Sequence, residues 1–432
     1  MKNNQKLFVF CLDALCTLDL ETMKTYPHFA SLMEHGAIVK HVEPIYPSLT
    51  YPCHCAIITG NTVKHHGVYH NEIVEVERKN APWFNQRSDV HCDTIFDTAK
   101  KAGLSTCSLT WPVSGKAEID LNMPMIVPIG YQGDNPRQFL DHNATTELLD
   151  RYYWKYGRFL KGKDRNLDLF TMSLAADILR DYPQPDVMFV KMCDLDSVRH
   201  EYGVDNEQVK AQLKKHDEEL GVLLESIRRY GDYENTNFVI LGDHGQQDVK
   251  RNLNMNLILK EHGFIRCDEN NQLVDYDAYC HSAALSAWIQ LKDPSDGAMR
   301  KKVYAFLKEL KADPQYNIGY LYTKEEAKEL FGLCGPLDFV IEGEEPMSFD
   351  TTLEGTDLFA KHLSPGKHRT LASHGHLPFK DETTTFIACG PAIKEGVVIE
   401  RSTMLNEAPT MAAMLGLTMG QTDGSIWHEL LK

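Results

Sequence analysis

The stretch Val187-Met-Phe-Val-Lys-Met-Cys193-Asp-Leu-Asp196 joins a short apolar run with β-strand character directly to acidic side chains. The same arrangement occurs twice more, because residues 7–12 run into Asp13 and residues 238–242 run into Asp243. Ligand sites in open α/β sheets lie outside the carboxyl ends of the strands, so we expect these carboxylates to converge on one crevice. Carboxylates that repel one another in one crevice indicate bound cations.

Short runs of β-branched and aromatic residues alternate with helical patterns along most of the chain. This alternation predicts an α/β fold with a largely parallel central sheet flanked by helices. Further strands are predicted at residues 105–110, 284–291 and 384–389, and helices at residues 93–102, 167–179, 207–230 and 297–310. Residues 262–365 are richer in polar turns, so we expect a small α+β lid inserted into a single catalytic domain that spans residues 1–432.

Lys and Arg total 45 against 61 Asp and Glu, which gives the 432-residue chain a formal net charge of -16. This charge repels nucleic-acid phosphates and anionic membranes, so we expect neither duplex nucleic acid nor a membrane as a partner. An anionic substrate would need positive charge at the site itself, and metal ions are the obvious source. The chain has no G-x-G-x-x-G motif and no P-loop, which disfavours dinucleotide and P-loop enzymes.

The eleven cysteines are scattered and never spaced C-x-x-C, a pattern typical of a reducing compartment. Asp13 interrupts the first apolar run, which disfavours a secretory signal. No run approaches the ~18 continuous apolar residues that a membrane span needs. We therefore predict a cytoplasmic protein, while the oligomeric state stays open.

Histidines accompany the carboxylates at spacings that suit metal ligands. Asp196 and His200 are four residues apart, so on a helix they would share one face. Asp243-His244 presents two ligand types at one strand end, and His374-Gly375-His376 supplies a further imidazole from either histidine. A single Asp after a strand is more often a turn residue, so the combination carries the prediction. Mixed Asp and His ligation suits zinc, with manganese or iron as alternatives.

A further polar cluster occurs in the segment Tyr46-Pro-Ser-Leu-Thr50-Tyr-Pro-Cys-His-Cys-Ala-Ile-Ile-Thr59-Gly60. Pro52 suits a helix start, which would place Thr50 at a helix N-terminus, where backbone N–H groups favour anions. A nucleophile at that position would face a phosphate. A threonine before a helix is more often only an N-cap, so the residue alone does not decide its role.

Six motifs, in this order, resemble those of the nucleotide pyrophosphatase/phosphodiesterase branch of the alkaline phosphatase superfamily. They are the first strand into Asp13, the segment from Tyr46 through Thr50 and His54 to Gly60, His66-Gly67 with Asn71, Asp196-x-x-x-His200, Asp243-His244-Gly245 and Ser373-His374-Gly375. The resemblance extends from about residue 7 to residue 396 and is weakest between 262 and 365. It implies an alkaline-phosphatase-like sheet and hydrolysis of phosphodiesters or pyrophosphates.

The resemblance also implies a role for each matched residue. Asp196, His200 and His374 would bind one zinc ion, and Asp13, Asp243 and His244 the other, with Thr50 bridging toward the second. Thr50 would be the nucleophile, activated by metal coordination, and would form a phosphothreonine intermediate that water hydrolyses. The Asn71 side chain would donate to a phosphoryl oxygen, with the N–H of Tyr51 as a second donor. The implied partner is a small phosphorylated substrate, nucleotide-like or another phosphodiester.

The chain departs from the family pattern around Asp196, where Asp194 and Leu195 replace Glu and Pro, and Arg199 replaces a usual Gly. A sulfatase is disfavoured because its Cys/Ser-x-Pro-x-Arg motif is absent. A phosphomonoesterase needs an extra Arg, Lys or third metal for the additional negative oxygen, and no motif in the chain matches one. Monoester or phosphonate hydrolysis at the same site is the alternative, and a non-catalytic phosphate-binding protein is the least favoured.

Overall fold

The computed structural model describes residues 4–76, 81–127, 135–359, 371–380 and 382–432. Its strands are β1 Lys6–Leu12, β2 Gly36–Glu43, β3 Thr106–Leu109, β4 Leu121–Met123, β5 Val187–Met192, β6 Thr236–Leu241, β7 Gln247–Asp248, β8 Arg251–Asn254, β9 Ile265–Cys267, β10 Leu273–Tyr276, β11 Ala278–Ala283, β12 Ser286–Leu291, β13 Ile318–Thr323, β14 Phe339–Gly343, β15 Met347–Asp350, β16 Ala372–Ser373, β17 Thr384–Cys389 and β18 Val398–Thr403. Its helices are α1 Leu20–Met23, α2 Pro27–Glu34, α3 Thr50–Thr59, α4 Val63–His66, α5 Ile95–Lys101, α6 Arg137–Leu140, α7 Thr146–Tyr156, α8 Leu167–Asp181, α9 Asp194–Tyr202, α10 Glu207–Tyr230, α11 Met255–Glu261, α12 Gly297–Ala312, α13 Lys324–Phe331 and α14 Glu407–Met414.

A central sheet of eight strands organises the molecule, in the order β18-β2-β17-β6-β1-β5-β3-β4. Strand β17 runs antiparallel to both of its neighbours, and the other pairs are parallel. The prediction of a largely parallel sheet is confirmed. Strands β6, β1 and β5 are adjacent and parallel, so their carboxyl ends meet at one edge of the sheet.

Both faces of the sheet are covered, which explains why its inner strands are continuous apolar runs. Along β1, Leu7 and Val9 pack into a core cluster with helices α3, α5 and α14. The alternating residues Phe8 and Phe10 point to the opposite face and pack with α2, α8 and α10. Side chains that alternate between the faces therefore bury the sheet in two helical layers.

The predicted helices agree well with the observed ones, since α10 has the predicted bounds and α5, α8 and α12 differ by a few residues at their ends. The sequence did not reveal β18, an edge strand whose side chains are half-buried or exposed and thus give no apolar run. The strand predicted at 284–291 begins at Ser286, because Ala284 lies in the hairpin turn with φ +62°. It pairs with β11 and β14 and not with the central sheet.

A second, antiparallel sheet with the order β11-β12-β14-β13 lies within the predicted lid. Together with α11 and α12 it encloses a separate core cluster, which extends from Leu253 to Leu353. The expected α+β character is thus present, although the cluster begins about ten residues before the predicted start because α11 packs into it. Residues 360–365 of the predicted lid lie outside the described residues.

In the ranges that the structure describes, none of the helices has the length and apolar character required to cross a bilayer.

Candidate metal centre

Six of the side chains singled out in the sequence form two groups of three, and within each group the ligand atoms lie within 4.8 Å of one another. The first triad is Asp196, His200 and His374, and the second triad is Asp13, Asp243 and His244. The rings of His244 and His374 stack with their centroids 3.8 Å apart and their planes at 11°. The two triads therefore adjoin at the edge of the sheet where β6, β1 and β5 end.

Helix α9 supplies two members of the first triad. It begins directly after β5, and the spacing of four residues places Asp196 and His200 on one face, as predicted. The Nε2 atom of His200 lies 3.2 Å from Asp196 Oδ1, and that of His374 lies 3.8 Å from the same oxygen. Burial acts to raise the pKa of Asp196, but His200 and His374 hold it well below its ordinary value. The first triad thus contains a firmly ionised carboxylate.

The second triad is assembled from the ends of β1 and β6. The Nε2 atom of His244 lies 3.2 Å from Asp243 Oδ2 and 3.5 Å from Asp13 Oδ1. After Asp13 the chain turns at Ala14, whose φ of +64° lets its N–H donate to Asp243 Oδ1 at 2.9 Å. Burial and the neighbouring charge of Asp243 raise the pKa of Asp13. Two buried carboxyl groups in such proximity need a compensating positive charge.

Each of the three triad imidazoles places its Nδ1 atom against a backbone carbonyl oxygen. The distances are 2.7 Å from His200 to Ala372, 3.0 Å from His374 to Ser48 and 3.3 Å from His244 to Gly245. A carbonyl oxygen only accepts hydrogen bonds, so Nδ1 carries a proton, and in the neutral imidazole Nε2 then presents a lone pair to its triad. Burial and the ring of His244 also lower the pKa of His374 to about 3. Metal-binding histidines are commonly held in this way.

Acceptor atoms face one another inside the second triad. Asp13 Oδ1 and Asp243 Oδ2 are buried and accept no hydrogen bond from the described residues. Buried acceptors without a donor are costly unless a cation lies among them. The donor set of both triads therefore fits divalent metal ions.

Thr50 is the first residue of α3, and Leu49 occupies the N-cap position instead. The Thr50 hydroxyl is thus not used as a helix cap, and its Oγ1 atom lies 3.2 Å from His244 Nε2. One turn later, His54 places Nδ1 2.7 Å from the Thr50 carbonyl oxygen and 3.2 Å from Asp243 Oδ2. Helix α3 is in this way tied to the second triad with the hydroxyl of Thr50 facing it.

Asn71 lies beside the start of α3. The Tyr51 N–H donates to Asn71 Oδ1 at 2.9 Å, and because a backbone N–H only donates, the Nδ2 atom of Asn71 is the group left to bind a ligand. The expectation that the Tyr51 N–H is a second phosphoryl donor is not met, since Asn71 engages it. The Tyr51 side chain is fully buried and packs edge-on against Trp83 with centroids 5.0 Å apart.

Two residues that the sequence marked for attention lie outside the triads. Asp194 pairs with Lys215 at 2.9 Å. His376 is fully buried with its Nδ1 atom 3.4 Å from Ser48 Oγ. Of the two candidate histidines in the His374-Gly375-His376 motif, only His374 belongs to a triad.

Sequence reasoning missed Lys191, a fully buried lysine inside β5 whose Nζ atom lies 2.6 Å from Asp13 Oδ2. Although burial acts to lower it, the charge of Asp13 raises the pKa of Lys191 well above its ordinary value. The signal was a lysine within an otherwise apolar strand, where every residue is buried.

Arg199 forms a buried ion pair that links the two triads. Its Nη2 atom lies 2.5 Å from Asp19 Oδ1, its Nε donates to the Val204 carbonyl at 3.2 Å, and Nη1 donates to the Ala14 carbonyl. The pair therefore joins α9, which carries Asp196, to the turn that follows Asp13.

We expect Arg199→Met to lower the free energy of unfolding by about 3–5 kcal/mol, because Asp19 would remain as a buried, uncompensated charge. Urea denaturation of the purified variant measures the change. The double variant Arg199→Met with Asp19→Asn is expected to recover part of the loss, since it removes both charges. A loss below about 1 kcal/mol in the single variant would show that the Arg199–Asp19 pair stabilises the fold no more than an exposed surface salt bridge does.

Comparison with known proteins bears on this geometry. The family model described as type I phosphodiesterase / nucleotide pyrophosphatase matches residues 7–375. The chain is 24% identical over 426 residues to ectonucleotide pyrophosphatase/phosphodiesterase family member 7 of Rattus norvegicus, which covers 94% of this chain and 81% of that protein. It is 22% identical over 421 residues to a bis(5'-adenosyl)-triphosphatase of Pongo abelii, which covers 93% of this chain and 76% of that protein.

A solved structure of similar fold is that of an inactive variant of murine ectonucleotide pyrophosphatase/phosphodiesterase 5 in complex with AMP. It superposes with a TM-score of 0.67 at 19% identity and covers 99% of this chain and all of that one. The family match extends from β1 to the His374-Gly375 motif and so includes all six triad residues, Thr50 and Asn71. The chain belongs to the type I phosphodiesterase/nucleotide pyrophosphatase family and is a hydrolase of phosphate esters.

Proposed function

We propose that the protein is a two-metal phosphodiesterase or nucleotide pyrophosphatase that acts through a phosphothreonine intermediate on Thr50. The observation that carries the proposal is the hydroxyl of Thr50, which caps no helix and lies at the N-terminus of α3, 3.2 Å from His244 Nε2 and beside two adjoining ligand triads. A hydroxyl at a helix N-terminus faces the position that an anionic phosphoryl group prefers.

The first triad of Asp196, His200 and His374 would hold one ion, and the second triad of Asp13, Asp243 and His244 the other, next to Thr50. Two carboxylate–imidazole sets of this kind suit zinc best, with manganese and iron as alternatives. Ions bound there would lower the pKa of the Thr50 hydroxyl and neutralise charge on the phosphoryl group.

The residues of the chain then have separate tasks. Thr50 Oγ1 forms a bond to phosphorus while the bond from phosphorus to the leaving oxygen breaks, and water later cleaves the phosphothreonine and restores the hydroxyl. Asn71 Nδ2 donates to a non-bridging oxygen, and its Oδ1, held by the Tyr51 N–H, fixes the direction of that donor. Pro52 lacks an N–H group, so the remaining donor of the first helical turn is the N–H of Thr50.

The leaving group would occupy a cleft of about 930 Å³ between the catalytic domain and the lid, whose lining includes both sequence neighbours of Asn71. Its walls include His70 and Glu72 from the catalytic domain and His281 and Asp350 from the lid. His70 Nε2 lies 3.0 Å from the Ser282 carbonyl oxygen, which joins the two walls. The lid therefore contributes to the choice of leaving group.

The substrate that we propose is a small phosphodiester or pyrophosphate, nucleotide-like in the first instance. The solved relative that binds AMP and the relative named as a bis(5'-adenosyl)-triphosphatase support this class. Hydrolysis of a monoester or phosphonate at the same site is the second candidate. A cytoplasmic location is proposed on the eleven free cysteines, and cell fractionation tests it.

Hydrolysis of bis-p-nitrophenyl phosphate and p-nitrophenyl phosphate by the zinc-loaded protein separates the two candidates. We expect kcat/KM for the diester to exceed that for the monoester by about tenfold or more, because the diester presents only one negative oxygen to the Asn71 side of the site. A preference for the monoester would move the protein to the phosphatase class. Zinc binding without activity on either compound would contradict both.

A further inference from the structure

Lys191 is held on all sides within the sheet. Its side chain is fully buried, and its Nζ atom lies 2.6 Å from Asp13 Oδ2, 3.2 Å from Cys193 Sγ and 3.8 Å from Met125 Sδ. A lysine ammonium has three N–H donors, and each of these contacts engages one. The charge is therefore fixed in position next to the second triad.

The contact divides the two oxygens of Asp13 between different tasks. Oδ2 accepts from Lys191, while Oδ1 accepts no hydrogen bond and lies 3.5 Å from His244 Nε2. The ammonium thus orients the carboxylate so that its free oxygen points into the triad. It also offsets one of the two negative charges of Asp13 and Asp243.

We propose that Lys191 is a positively charged part of the metal centre and acts as a positioning residue that orients Asp13. Its charge makes the second triad the weaker metal site and adds one positive charge toward the phosphoryl group. The inference rests on the proposed two-metal function. The nearby ammonium repels a divalent ion in the second triad and offsets the advantage of its second carboxylate. The second triad also has one imidazole fewer than the first, so its affinity for zinc is lower. In return, the loaded centre attracts a substrate with an additional negative oxygen more strongly than it would without Lys191.

Calorimetric titration of chelator-stripped protein with zinc tests the effect on metal binding. We expect two binding steps in the natural chain and, in Lys191→Met, a weaker step that tightens by about tenfold or more because the repulsion is gone. Damage to the fold would weaken zinc binding in both steps, so tighter binding in one step would result from the loss of the Lys191 charge. The matched control is Lys215→Met, which removes a partly buried lysine that pairs with Asp194 at 2.9 Å outside both triads and is expected to leave both steps unchanged.

A second measurement assigns the weaker step without altering Lys191. Asp243→Asn disables the second triad, so the weaker step of the natural chain is expected to disappear; loss of the tighter step would overturn the proposal. This measurement stands even where Lys191→Met does not fold.

The charge also has a kinetic signature. In Lys191→Met, the ratio of kcat/KM for p-nitrophenyl phosphate to that for the diester is expected to fall by about fivefold or more, since the monoester carries the extra charge. If both zinc-binding steps are unchanged in Lys191→Met, the proposed role of Lys191 is overturned and the proposed two-metal function is not. A natural chain that binds no zinc would overturn the proposed function together with it.

Discussion

Thr50→Ala is expected to reduce phosphodiester hydrolysis by about 10⁴-fold or more while the protein still binds two zinc ions. The reason is that Oγ1 of Thr50 is the hydroxyl that faces the second triad, 3.2 Å from His244 Nε2, and no cap or helix bond depends on it. Initial rates with bis-p-nitrophenyl phosphate, together with zinc content, measure both parts of the expectation.

Two variants sharpen this test. Thr50→Ser keeps a hydroxyl at the same place and should retain a measurable fraction of the activity. Thr59→Ala removes a buried hydroxyl at the other end of α3, where it donates to the Cys55 carbonyl, and should leave the rate close to that of the natural chain. Substantial diester hydrolysis by Thr50→Ala would exclude a phosphothreonine intermediate.

Asp243→Asn is expected to remove one of the two zinc ions and to lower activity by about 10³-fold or more, because the carboxylate is the buried centre of the second triad. Its Oδ1 atom holds the Ala14 N–H, which an asparagine oxygen can also do, so the turn after Asp13 should survive. Metal analysis and initial rates are the measurements. Zinc should remain in the first triad, which shares no carboxylate with the second.

The matched control for this variant is Asp217→Asn, a buried aspartate on α10 that accepts hydrogen bonds from the N–H groups of His28 and Phe29. It should lower stability without changing zinc content or the rate per folded molecule. Two bound zinc ions in Asp243→Asn would show that Asp243 is not a metal ligand.

The convergence of Asp13, Asp196 and Asp243 could be predicted because it follows from topology. Each residue comes after an apolar run, and parallel neighbouring strands must end at the same edge. The pairing of Asp196 with His200 followed from helix geometry alone. The match of motifs to a known family then assigned the ligands to two groups, and the observed triads have the same members.

Contacts between distant segments could not be read in this way. Nothing local to Lys191 shows that its ammonium meets Asp13, since the two residues are brought together only by the pairing of β1 with β5. The same holds for Arg199 and Asp19. The hydrogen bond from the Tyr51 N–H to Asn71 Oδ1 was missed because the two residues are twenty positions apart in the sequence.

The anchoring of His200, His374 and His244 on backbone carbonyl oxygens has an evolutionary consequence. A carbonyl is present whatever side chain the residue carries, so the orientation of these rings does not depend on the side chain of the anchor residue. Gly245 is restricted for another reason, because a Cβ atom there would lie 2.0 Å from the Glu382 carbonyl oxygen. The orientation of the rings does not tolerate a change in the number of residues between an anchor and the nearest metal-binding or catalytic residue. The Ser48 carbonyl that orients His374 is only two residues from Thr50, so a single insertion there would disturb a metal ligand and the nucleophile together. In descendants of this chain we expect the spacing and Gly245 to be kept constant, while the residue at the Ala372 anchor changes.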